Sequence, residues 1–166
     1  MNGLEMATAE RTELADFLAS LTVEQWEVPS LCVGWRVRDV VAHVMSFDGV
    51  GLLTMFGRVI RGRIVHANQF AVDELALLST EQLLDRLWAD LRPQGLATIF
   101  GGRLALLDVT IHQQDIRRPL GAPREIPAER LRWVLRDSVR SPELPAWRLA
   151  WGLRLAPTDL DWRHGS

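Results

Sequence analysis

Four histidines occur in this chain, and two of them sit where an imidazole could do chemistry. His43 shares a helical face with Val40 and Phe47, at i−3 and i+4, on the flank of an apolar stripe, so its ring is directed inward. A histidine in that position serves equally as a hydrogen-bonded core residue. The run Leu104-Ala105-Leu106-Leu107-Asp108-Val109-Thr110-Ile111-His112 is apolar almost all round and predicts a buried helix that only Asp108 interrupts. A carboxylate there needs a partner, since an isolated buried charge costs several kcal/mol or more. His112 follows four residues on, over Asp108 on the same face, and Asp115 continues the polar seam. A structural Asp–His hydrogen bond, an Asp–Arg pair and metal ligation all answer to that spacing.

Taken together, His43, Asp108 and His112 make a three-ligand set from two helical segments, which leaves coordination positions open as catalytic metal sites do. Zinc suits imidazole and carboxylate donors; nickel, iron(II) and manganese also accept them. Asp115 is placed to take the proton of the outer ring nitrogen of His112, with direct ligation in place of Asp108 as the alternative. Beside this set, Phe47 is expected to form an apolar wall and Arg103 to meet an anionic group. His66 and His164 read as solvated. Cys32 has no companion cysteine and no local histidine, so a cysteine-based zinc site is unsupported. All 19 basic residues are Arg, which excludes a phosphate-binding loop that needs Lys. No G-x-S-x-G elbow is present. Trp35, Trp133, Trp147 and Trp151 are scattered, which favours core packing over base stacking.

The elements that must position these residues read as helices near 7–21, 36–60, 79–92, 96–118 and 127–139. Leu14, Phe17, Leu18 and Leu21 give the first its apolar face, and Glu10, Arg11, Glu13 and Asp16 fall elsewhere on the wheel. Val37, Val40, Val41 and Val44 stripe the second, which Gly49, Gly51 and Gly57 weaken before a basic cluster over Arg58–Arg63. Ser79 and Gln82 are a capping box for the third, and Pro119 closes the fourth. The tail changes character, with a Pro-rich turn over 141–145 and an alternation over 151–162 that predicts a strand.

The chain has 166 residues, 48% hydrophobic and 24% charged, enough for one domain or one domain plus a fragment. A net charge of −2 excludes a strongly basic nucleic-acid module. No stretch approaches the roughly 20 apolar residues of a membrane span. No signal peptide is visible over residues 1–11, and the single Cys32 fits a reducing cytoplasm. The use of Arg without Lys, and the absence of Tyr, point to a GC-rich genome.

The segment Pro29-Ser30-Leu31-Cys32-Val33-Gly34-Trp35-Arg36-Val37-Arg38-Asp39-Val40-Val41-Ala42-His43 resembles the opening signature of the mycothiol-dependent maleylpyruvate isomerase family, DinB/YfiT-like metalloenzymes common in actinobacteria. Leu21-Thr22-x-x-x-Trp26 before it, and Asp108-x-x-x-His112-x-x-Asp115-Ile116-Arg117-Arg118-x-x-Gly121 after it, fit as well. The resemblance implies an all-α, antiparallel four-helix bundle over residues 1–140. Residues 141–166 would be a linker and the truncated start of a C-terminal α/β domain, as an irregular or hairpin tail. It implies a divalent metal, usually zinc, on His43, Asp108 and His112, and mycothiol as the thiol cofactor. The implied activity is thiol S-transfer to an electrophilic substrate or maleylpyruvate-type cis–trans isomerisation. The alternative is a non-catalytic bundle that binds metal or a protein partner, a remnant of such an enzyme. Asp108 stands where the family often has Glu, and Arg36 where Thr commonly caps a helix. With the sequence ending at Ser166, the expectation is that thiol binding survives in an open site while turnover is weak. Leu153 and Leu155 on an unpaired strand edge would favour a homodimer.

Overall fold

The structure, a computed structural model, describes residues 1–46, 48, 72–73, 75, 77–142 and 144–165, without the side chains of Leu96 and Ile99. These residues are mostly helical and include no strand, in keeping with an all-α chain. None of the described helices is long and apolar enough to cross a membrane. The chain divides into two compact units, residues 1–123 and 124–166.

In the first unit, α1 (Gly3–Ala19) begins before the expected residue 7 because Asn2 caps it. The Asn2 side chain accepts from the Glu5 N–H and the Glu5 carboxylate accepts from the Asn2 N–H, both at 2.9 Å. A short α2 (Val23–Trp26) is capped reciprocally by Thr22 and Gln25. After α3 (Val37–Met45) comes α4 (Thr80–Ala89), with the expected Ser79–Gln82 box. The continuation of α3 towards residue 60, with Phe47, Gly49, Gly51, Gly57, Arg58–Arg63 and His66, lies outside the described residues.

The single helix expected over 96–118 is instead a 3-10 stretch, Gly95–Gly102, followed by α5 (Arg103–Arg117). Gly101 and Gly102, at φ 70° and 80°, take left-handed conformations that break the α-helix and restart it. Gly102 also lies so close to α1 that a Cβ there would sit 2.7 Å from Leu4 Cα.

Helix α1 packs on α4 and α5, and α3 packs on the same two. Their shared core contains Leu14, Leu18, Val40, Val44, Leu83, Leu87, Val109 and Ile116. Each fully buried Val or Leu contributes about 1.5–3 kcal/mol. Two charged residues assigned to the outer wheel of α1 are in fact buried, Glu10 fully and Arg11 at 2% exposure. Arg11 gathers the ends of α3 and α4. Its Nη1 donates to Asp48 Oδ2 at 2.7 Å and to the Asp90 carbonyl at 3.0 Å, and its Nη2 donates to the Val44 carbonyl at 3.1 Å. Carbonyls at helix ends are the groups that lack intrahelical donors, so one guanidinium satisfies two helices. Gln113 on α5 likewise donates to the Glu10 carboxylate and carbonyl, at 3.0 and 2.8 Å. This polar pairing fixes the rotation of α5 against α1 and so the direction its other face presents.

The second unit holds α6 (Ala128–Ser138) and α7 (Pro145–Leu149). Residues 151–162 do not form the expected strand. Gly152 turns at φ 72°, and the chain bends to one antiparallel bridge, in which Leu155 and His164 exchange backbone hydrogen bonds of 2.9 and 3.0 Å. Trp147 and Trp151 meet edge to face with centroids 5.9 Å apart, and Trp151 stays 77% exposed instead of filling a core.

Candidate metal centre

Helix α3 starts without the hydroxyl cap that a Thr would supply, and Arg36 compensates in another way. The Asp39 carboxylate accepts from the Arg36 backbone N–H at 2.8 Å, and from its Nε and Nη2 at 2.9 and 3.0 Å. Arg36 Nη1 also reaches Glu27 at 2.6 Å. Burial pushes the Asp39 carboxyl up, but these bonds outweigh it and hold it below its ordinary value. From that start, Val37, Val40, Val41 and Val44 turn into the core, and His43 follows them inward at 5% exposure. The Trp35 ring covers one side of His43, with centroids 5.1 Å apart.

Across from it, α5 carries Asp108, His112 and Asp115 along one seam. Asp108 Oδ1 lies 3.6 Å from His43 Nε2 and 3.5 Å from His112 Nε2. The two imidazoles meet edge to face, with centroids 4.9 Å apart. The structure thus brings His43, Asp108 and His112 together, with one nitrogen or oxygen of each mutually within 4.8 Å. On the far side of the His112 ring, Nδ1 lies 3.0 Å from Asp115 Oδ2. Arg103 opens α5 five residues before Asp108, about 7.5 Å along the axis.

Charge follows this geometry. Burial pushes the Asp108 carboxyl up, yet the adjacent His112 and His43 imidazoles prevail and hold it well below the carboxylate range. Burial pushes His112 down, and its contacts with Asp108, Asp115 and Cys32 prevail in raising it. In Asp115 burial again raises the carboxyl, and the bonds from His112 and Cys32 bring it below its ordinary value. Without a cation the cluster therefore favours carboxylates around a protonated His112.

The donor set fits a small divalent ion. Two ligand atoms on a tetrahedral zinc, with bonds of about 2.0–2.1 Å, lie about 3.4 Å apart. The 3.5 and 3.6 Å separations here approach that value and are long for hydrogen bonds. The contact at 3.0 Å on Nδ1, by contrast, has hydrogen-bond length. A carboxylate in that place keeps the proton on Nδ1 and leaves the Nε2 lone pair directed at Asp108 and His43.

One neighbour escaped sequence reasoning. Cys32, half-buried, places Sγ 3.4 Å from Asp115 Oδ2 and 3.7 Å from His112 Nδ1. The histidine it lacked locally comes from 80 residues away. Its loop is built for this position. Trp35 N–H returns to the Cys32 carbonyl at 3.0 Å through Gly34 at φ 82°, and Leu31 N–H donates to the Asp115 carbonyl at 3.1 Å. The available signal was the Pro29–Trp35 loop itself, tight and one residue short of α3's cap, but nothing local gave its partner.

Residues 7–93, just over half of the chain, match the family model described as mycothiol maleylpyruvate isomerase N-terminal domain. The match includes Cys32 and His43 and ends before α5, so Asp108, His112 and Asp115 rest on the geometry. No curated protein and no solved structure matches the chain.

Proposed function

Because this chain belongs to the mycothiol maleylpyruvate isomerase N-terminal domain family, we propose that it is a divalent-metal-dependent enzyme that uses a low-molecular-weight thiol, mycothiol. Two outcomes share that chemistry: S-transfer of the thiol to an electrophile, and cis–trans isomerisation of a maleylpyruvate-type alkene. A divalent cation, zinc first, lowers the pKa of a thiol that joins it and so supplies a nucleophile at neutral pH.

The single observation that supports the reading is the approach of two imidazole nitrogens, from facing helices, to one carboxylate oxygen at 3.6 and 3.5 Å. In it, His43, Asp108 and His112 hold the ion. Asp115 orients His112 by keeping a proton on Nδ1. Trp35 excludes water from one face of His43. Three protein ligands leave room for a thiol. The fold in this reading is a four-helix bundle of α1, α3, α4 and α5, supported by their mutual packing. The domain that carries it is assigned to residues 1–140, and the place of action to the cytoplasm.

The test is single-turnover conjugation of an activated alkene by zinc-loaded and metal-free protein, with mycothiol and with a simple thiol. A metal-dependent rate gain that is larger with mycothiol is expected. No gain with either thiol at full zinc occupancy would overturn the enzymatic reading in favour of a non-catalytic metal-binding helical protein.

A further inference from the structure

His112 stands between two carboxylates, with Asp108 at its Nε2 and Asp115 at its Nδ1. Each side of the ring also has one further donor, His43 on the Asp108 side and Cys32 on the Asp115 side. We propose that Cys32 Sγ, His112 Nδ1 and Asp115 Oδ2 form a second, thiolate-containing metal position, alternative to the one on His43, Asp108 and His112, and selective for thiophilic ions such as Cd2+. It deepens the reading above through the shared His112, but makes no use of the enzymatic activity.

Zinc-sized bonds of about 2.3 Å to sulfur and 2.0–2.1 Å to nitrogen and oxygen separate sulfur from either by about 3.5–3.6 Å, and nitrogen from oxygen by about 3.4 Å, and the larger Cd2+ widens each by a few tenths of an ångström. The sulfur separations of 3.7 and 3.4 Å bracket the zinc value and lie within a few tenths of an ångström of what Cd2+ needs. The Nδ1–Oδ2 separation of 3.0 Å is that of the hydrogen bond an ion would replace. It needs to open by at least about 0.4 Å, within the reach of an Asp rotamer.

The two positions exclude each other by proton count. A neutral imidazole has one lone pair to give. An ion on Nε2 requires the proton on Nδ1, where Asp115 accepts it. An ion on Nδ1 requires the proton on Nε2, where Asp108 Oδ1, 3.5 Å away, is the available acceptor. Binding on the Cys32 side of the metal-free protein therefore forms metal–sulfur and metal–nitrogen bonds, releases the thiol proton and the Nδ1 proton of His112 to water, and leaves the Nε2 proton directed at Asp108. Ligand softness decides between the sides. Imidazole and carboxylate take Mn2+, and the thiolate draws ions that prefer sulfur.

Cys32 is the only cysteine, so any thiolate signal belongs to it. The test titrates metal-free protein with CdCl2 and follows the ultraviolet thiolate-to-cadmium absorption, with MnCl2 binding measured in parallel. One Cd2+ per chain, with full absorption, is expected. Cys32→Ser should abolish that absorption and weaken Cd2+ about 100-fold, while changing Mn2+ affinity less than about 3-fold. In the unaltered protein, Cd2+ should protect Cys32 from iodoacetamide and Mn2+ should not, which keeps the test valid if the variant fails to fold. No thiolate absorption at stoichiometric Cd2+, unprotected alkylation, or simultaneous binding of one ion on each side would overturn the proposal. Failure of the His43–Asp108 reading shows separately, as Mn2+ binding unaffected by His43→Ala.

Discussion

Asp115→Ala isolates the role assigned to the outer carboxylate. The substitution removes an acceptor 3.0 Å from His112 Nδ1 and leaves His43, Asp108 and His112 in place. Carboxylates that orient a ligating imidazole are worth about 10–100-fold in metal affinity, or about 1.4–2.7 kcal/mol. The His112 side chain is 16% exposed, so water replaces the lost acceptor poorly and the effect belongs near 100-fold. Asp115→Asn keeps an oxygen for the Nδ1 proton without the charge, and belongs near 10-fold. The assay is zinc competition against a chromophoric chelator at two pH values, because His112 must shed a proton to take metal. A loss within about 3-fold in Asp115→Ala would refute the orienting role. A loss beyond about 10,000-fold would instead make Asp115 a ligand in its own right.

Two other perturbations test the frame around the site. Gly102→Ala puts a Cβ 2.7 Å from Leu4 Cα at φ 80°, whereas Gly34→Ala, at φ 82°, meets nothing within 4 Å. Urea unfolding should show a loss of about 1 kcal/mol for Gly34→Ala and at least about 2 kcal/mol more for Gly102→Ala; equal losses would refute the close approach of α5 to α1. The Asp39 carboxyl is held below its ordinary value of 3.8 in the fold, so its contribution is complete above that value and is lost as pH falls through the lower, folded one. Asp39→Asn should cost about 1 kcal/mol at neutral pH and flatten the acid limb below about pH 4, and parallel pH profiles for the two proteins would count against the Arg36–Asp39 cap.

Helical periodicity made part of the site legible. Four residues of spacing put Asp108 under His112 whatever the tertiary fold, and the stripe ending in Val44 turned His43 inward. Cys32 was illegible for the opposite reason. Its partners lie 80 and 83 residues away, and only the path of the Pro29–Trp35 loop across Asp115 joins them. Arg11 shows the same limit in the core. On a wheel it is a polar residue, but the carbonyls of Val44 and Asp90 that receive it belong to other helices. Two features lay in the local sequence and were outweighed by stronger patterns. The Asn2–Glu5 capping box starts α1 despite Gly3 at its first position. The Gly101–Gly102 pair breaks a stretch whose apolar run reads as one continuous helix. The alternation over 151–162 misled because Gly152 and the following bends leave it one bridge and, among the described residues, no partner strand.

In the proposed function, His43, Asp108 and His112 hold one divalent ion between α3 and α5. Zinc stoichiometry and affinity, measured side by side for Cys32→Ser protein and for the same protein carrying His43→Ala or His112→Ala, test this without the alternative thiolate position. One zinc per chain is expected with His43 and His112 in place, and binding weakened at least about 1,000-fold when either is replaced, beyond the 10–100-fold expected of a residue that merely supports a ligand. Stoichiometric zinc of undiminished affinity in both variants, each with its helical circular dichroism intact, would contradict it.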